Sequence, residues 1–144
     1  MGNNRMNLKT LKEITVIINY EVNDAHFKKQ IDQVLTRIPQ SYTWEFPSFS
    51  IYQNYAKGTF VDEDGVYFDV DEIYAKTSGN SDAILGVIAH ELAHVFLMHA
   101  VEYTQNDGLK AEDEADALAS RWGFSEEIKI FRQKFGPAYL VNAK

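Results

Sequence analysis

Residues 81–101 read SDAILGVIAHELAHVFLMHAV, and the fold turns on how this stretch is taken. Apolar side chains at Ala83, Ile84, Leu85, Val87, Ile88, Leu92, Val95, Phe96, Leu97 and Met98 cover nearly every face of a helix. Asn80 or Ser81 supplies the N-cap. A helix that is apolar all round either lies at the centre of a domain or crosses a bilayer, and about 20 residues suffice for crossing. His90, Glu91 and His94 decide between the two, because they fall mid-helix, where a bilayer makes ionisable groups most costly. The expectation is a central, buried helix running to about Val101.

The flanking segments set the rest of the fold. Glu13–Tyr20 (EITVIINY) is rich in β-branched residues and predicts a buried strand. Asp24 then caps a helix whose apolar residues Phe27, Ile31, Val34, Leu35 and Ile38 follow helical spacing, and Pro39 stops it. Phe49–Tyr55 and Gly65–Val70 predict two more strands, with Asp64-Gly65 as a turn, and Tyr42–Phe46 a short one limited by Pro47. Downstream, Asn106-Asp107-Gly108 breaks the chain. A helix from about Leu109 to Trp122 ends at Gly123, and another opens at Ser125 and stops before Gly136-Pro137. The order β-α-β-β-α-α-α is an α+β layout, expected to form one domain over residues 1–144.

Composition narrows the function. Hydrophobic residues at 45% and charged residues at 24% fit a folded domain of 144 residues. The net charge is -7 with no basic cluster, which argues against nucleic acid as a partner. Cysteine is absent, so disulfides, thiolate metal sites and cysteine nucleophiles are excluded. The run Ile14–Ile18 is too short for a secretory signal and meets Glu21 and Asp24, so a cytoplasmic protein without a membrane span is expected.

His90-Glu91-Leu92-Ala93-His94 carries the chemistry. Positions four apart on a helix differ by only about 40°, so both imidazoles leave one face, one turn apart, close enough to grip one ion. Glu91 lies roughly 100° from His90, on the flank of that face, where it can serve as a base without ligating the ion. Two core histidines satisfied by carbonyls would be the structural alternative, but that also buries Glu91 without a charge partner. A catalytic zinc site takes three protein ligands and leaves one position open. His99 lies about 140° around from His94, so the third ligand is sought in the run Ala111–Asp116. Glu112 and Asp116 share a helix face; one can bind the ion while the other accepts the free N–H of a ligand histidine. Asp113 and Glu114 read as an acidic first turn favoured by the helix dipole.

HExxH on one helix followed by ExxxD on the next resembles the gluzincin metallopeptidases. The strings HELAHVFLMH and EDEADALA are similar to blocks of the HtpX and CAAX prenyl protease family, and a second resemblance is to ImmA/IrrE-type peptidases, which cleave repressors. The resemblance spans about Ile84 to Gly123. It implies a zincin-like fold, in which a small mixed or antiparallel sheet packs on a central HExxH helix with C-terminal helices. It also implies zinc held by His90, His94 and Glu112, Asp116 supporting a histidine, and Glu91 as general base in hydrolysis of a peptide or protein substrate. Tyr103, Arg121 and His99 are candidate oxyanion donors, and Gly65–Val70 a candidate sheet edge for an extended substrate. The competing readings are a non-catalytic metal-binding interaction domain and a non-haem iron site.

Overall fold

The structure is a computed structural model that describes residues 18–43, 46–98 and 108–136. Strand β1 (Ile18–Glu21) leads into helix α1 (Ala25–Arg37), whose first turn is closed by Asp24 accepting the N–H of Phe27 at 2.8 Å. Phe27, Ile31, Val34 and Leu35 face the core, as their spacing predicts. Residues 13–17 of the expected first strand lie outside the described residues.

Pro39 ends α1, and of the strand expected over Tyr42–Phe46 the described residues Tyr42, Thr43 and Phe46 belong to none, while 44 and 45 lie outside the described residues. The carbonyl of Pro39 accepts the N–H of Tyr42 at 3.0 Å and starts a helical turn, α2 (Gln40–Thr43). Phe46 then sits unpaired to any strand, buried between Phe96 and Trp122, with ring centroids 4.9 and 5.7 Å away. Aromatic residues that suit a strand are used here to fill a core.

Strands β2 (Phe49–Gln53), β3 (Phe60–Asp62) and β4 (Gly65–Phe68) join β1 in one sheet of order β1-β2-β4-β3. β1, β2 and β4 run parallel, and β3 pairs antiparallel with β4. β3 is too short to show alternation in sequence. It forms because the carboxylate of Asp62 accepts the N–H groups of Asp64 and Gly65 at 2.9 and 3.3 Å, turning the chain onto β4. Gly65–Val70 is therefore no sheet edge: β4 is paired on both sides, and β3 takes that edge. The strand also stops at Phe68, because Asp69 caps a further helix, α3 (Val70–Thr77), by accepting the N–H of Glu72 at 3.0 Å. The alternation VYFDV concealed that cap.

Helix α4 (Ser81–Leu97) is capped by Asn80, which accepts the N–H of Ala83 at 2.9 Å. It closes at Met98, whose left-handed backbone (φ 58°) returns its N–H to the carbonyls of His94 and Val95, so the helix ends before Val101. Helix α5 (Gly108–Ala119) runs through a wide π-helical turn, Ser120–Phe124, into α6 (Ser125–Phe135). α4 is the hub of this α+β arrangement: α1, α3, α5, α6 and strands β3 and β4 all pack on it. No helix among the described residues is long and apolar enough to cross a membrane.

Candidate metal centre

Two glycines shape the approach of α5 and α6 to α4. A Cβ on Gly86 would collide with the backbone carbonyl of Glu127 and with the side chain of Phe131, so only glycine lets α6 cross α4 this closely. Gly123 takes φ 105° in the turn that reverses the chain between α5 and α6. One turn beyond Gly86, His90 and His94 point from α4 toward both helices, 2% and 7% exposed.

α5 brings Glu112 between them. Its Oε1 lies 3.0 Å from His90 Nε2, its Oε2 3.3 Å from His94 Nε2, and the two Nε2 atoms are 3.1 Å apart. Ligand atoms on a tetrahedral zinc with bonds of roughly 2.0–2.1 Å sit about 3.3 Å apart, and one candidate ligand atom from each of the three residues lies within 4.8 Å of the other two. The donor set, two imidazoles and a carboxylate, can hold a metal ion. A second carboxylate, Asp116, accepts Nδ1–H of His90 at 2.7 Å. That contact orients the ring so that Nε2 faces Glu112 and His94, as a supporting carboxylate does for a ligand histidine. His90, His94, Glu112 and Asp116 are thus brought together, with Glu91 beside them on α4. Glu91 is partly exposed on the flank of α4, close enough to be influenced by His90, His94, Glu112 and Arg132.

The electrostatics follow from crowding charges in a partly dry place. Burial works against an imidazolium at His90, but Asp116 and Glu112 outweigh it and hold its pKa up to about 9. Burial likewise opposes ionisation of Glu112 and Asp116. Hydrogen bonds from His90 and His94 to the one, and from His90 and Arg132 to the other, bring both below the usual carboxylate range. Glu91 shifts the opposite way, pushed up by burial.

Arg132, on α6, escaped the sequence reading. Its Nε donates to Asp116 Oδ2 at 2.8 Å, and its Nη2 donates to Asp116 Oδ1 at 3.1 Å and to Glu112 Oε1 at 3.2 Å. The available signal was its place beside the stripe Ile128, Phe131, Phe135: a cation four residues after a buried isoleucine, on the face where α6 should be apolar. Of the oxyanion candidates, Arg121 is exposed, while His99 and Tyr103 lie outside the described residues. A cleft lined by Pro47, Phe49, Val61, Glu63 and Met98 reaches His94 from the β3 side of the sheet. Comparisons with protein families, curated proteins and solved structures found no match.

Proposed function

We propose that the chain is a zinc-dependent metallopeptidase of gluzincin type, with a zincin-like arrangement of its sheet beside the HExxH helix. The observation that carries this reading is the cluster of His90, His94 and Glu112, with each imidazole 3.0–3.3 Å from one oxygen of the carboxylate and 3.1 Å from the other imidazole, and Asp116 behind His90. When bound there, zinc supplies Lewis acidity toward a peptide carbonyl and toward water. The chain's own residues do the rest. Asp116 keeps the proton of His90 on Nδ1, leaving Nε2 free to ligate. Glu91, on the partly exposed flank of α4, takes a proton from the attacking water and returns it to the departing amine. The cleft at His94 gives a peptide a path to these groups, and β3, at the sheet edge, offers backbone groups to an extended chain. A mixture of unfolded proteins and peptides tests the reading. Zinc-loaded wild type cleaves them, and Glu91→Gln retains zinc but loses cleavage by at least about 100-fold. A Glu91→Gln variant as active as wild type, or an inert zinc-loaded wild type, contradicts it; the inert result favours a metal-stapled interaction domain.

A further inference from the structure

Three carboxylates, those of Glu91, Glu112 and Asp116, crowd around His90, and one permanent cation, Arg132, stands among them. With both imidazoles neutral, a divalent ion brings this group close to zero charge, whereas without the guanidinium an excess negative charge is left in a mostly buried place. The guanidinium is also placed with little freedom. Its side chain is 14% exposed, its plane lies over the Phe131 ring at 4.6 Å, and that ring packs on His90 at 5.0 Å between centroids. Asp116 Oδ1, the atom that receives His90 Nδ1–H, is the same atom that receives Arg132 Nη2–H. The other contact of that Nη2 is Glu112 Oε1, an atom of the candidate ligand.

We infer that Arg132 is a positioning residue for the divalent cation: one guanidinium fixes both the ligand carboxylate of Glu112 and the carboxylate that orients His90. Asp116 and Glu112 lie on neighbouring turns of α5 and repel each other, so without a shared cation they turn apart toward solvent and release the His90 ring. Two terms compete. The guanidinium repels an incoming cation, but it also holds the donors at ligand spacing before that cation arrives. The short fork to Asp116, at 2.8 and 3.1 Å in a half-dry setting, makes the ordering term the larger. Lysine has the charge but not the fork, and satisfies one carboxylate at a time.

This inference rests on reading His90, His94 and Glu112 as a metal site, and the experiment separates the two. Zinc affinity of the full chain is measured by competition with a chromophoric chelator, alongside thermal melts of the metal-free proteins. The variants are Arg132→Gln, Arg132→Lys, Asp116→Asn, the double variant Arg132→Gln/Asp116→Asn, and Arg37→Ala. Arg37→Ala weakens the seating of α6 without touching a carboxylate of the site. Arg132→Gln should bind zinc about 10–100-fold more weakly, the loss typical of removing a group that supports a ligand. Arg132→Lys should fall between it and wild type. The double variant should lose less than the two single losses combined, because both changes break the Arg132–Asp116 contact, yet bind more weakly than Asp116→Asn alone, because Glu112 also loses its partner. Arg37→Ala should melt earlier yet bind zinc like wild type. A folded Arg132→Gln that binds within threefold of wild type, or tighter, overturns the inference. So does an Arg37→Ala variant that loses affinity in proportion to its melting temperature. A wild type that binds no divalent ion sinks the metal-site reading itself.

Discussion

Two arginines tie α6 to the rest of the molecule, and they do so in opposite ways. Arg37 reaches from α1 to the start of α6, where it donates to Glu127 Oε2 at 2.9 Å and to the carbonyl of Gly123 at 3.0 Å, its guanidinium lying over the Phe124 ring at 4.0 Å. Its side chain is 40% exposed. Arg132, at the far end of the same helix, is 14% exposed and meets two carboxylates that also contact a histidine. The first spends its hydrogen bonds on a carbonyl and one partly exposed acid, and so holds elements together. The second also donates to the carbonyl of Gly136 at 3.4 Å, but its shorter bonds go to two carboxylates beside imidazoles, and a half-buried cluster of charges is a poor way to stabilise a fold. Without a metal, Arg132 and a protonated His90 offset Glu112 and Asp116; under the proposed function a divalent ion replaces that proton.

The largest expected effect breaks the comparison at its inner end. Zinc at about 100 times its dissociation constant should stabilise the wild type by about 2.7 kcal/mol, read as a rise in melting temperature that a chelator reverses. Glu112→Ala should abolish that rise, and a zinc shift of equal size in the variant would mean the ion sits elsewhere. Next comes Gly86→Ala, which drives α6 off α4 and so disturbs both arginines at once. A loss of about 1–3 kcal/mol in urea unfolding is expected, together with weaker zinc binding. Full stability in that variant would show that the two helices do not meet as closely as described.

The outer arginine is worth less. Arg37→Ala removes an exposed ion pair, a carbonyl contact and a ring contact, for a loss of about 1 kcal/mol that shrinks in high salt. Insensitivity to salt would assign its value to packing. An effect of similar size, vanishing in acid, is expected far from both arginines. Asp24 caps α1 and accepts the hydroxyl of Tyr74 at 2.8 Å; burial opposes its ionisation, but those donors prevail and its pKa falls below the ordinary 3.8. A depressed carboxylate stabilises the fold above its unfolded pKa and loses that contribution as pH falls through the folded one. Asp24→Ala should therefore cost about 1 kcal/mol at neutral pH, less once the pH has fallen through the depressed carboxyl's range, and leave the zinc shift intact.

The same contrast explains what the sequence disclosed. The spacing of His90, Glu91 and His94, the pairing of Glu112 with Asp116, and the caps Asp24 and Asn80 are local patterns within one or two turns, and local geometry fixes them. Helix α3 was hidden because Asp69 ends a strand pattern and begins a helix with the same residue. β3 is three residues long and owes its place to the turn at Asp62 rather than to its own composition. Tyr42–Phe46 misled because rings suit strands and cores alike. Arg132 reaches partners 16 and 20 residues away on another helix, a distance at which spacing carries no signal.

Zinc X-ray absorption on the loaded chain, with metal content measured beside it, tests most directly whether one ion is held by two imidazoles and a carboxylate. About one zinc per chain is predicted, with nitrogen and oxygen neighbours at roughly 2.0–2.1 Å and the imidazole signature of two histidines. Content should fall to background in His94→Ala. Zinc bound without histidine, or retained in full by His94→Ala, contradicts the account.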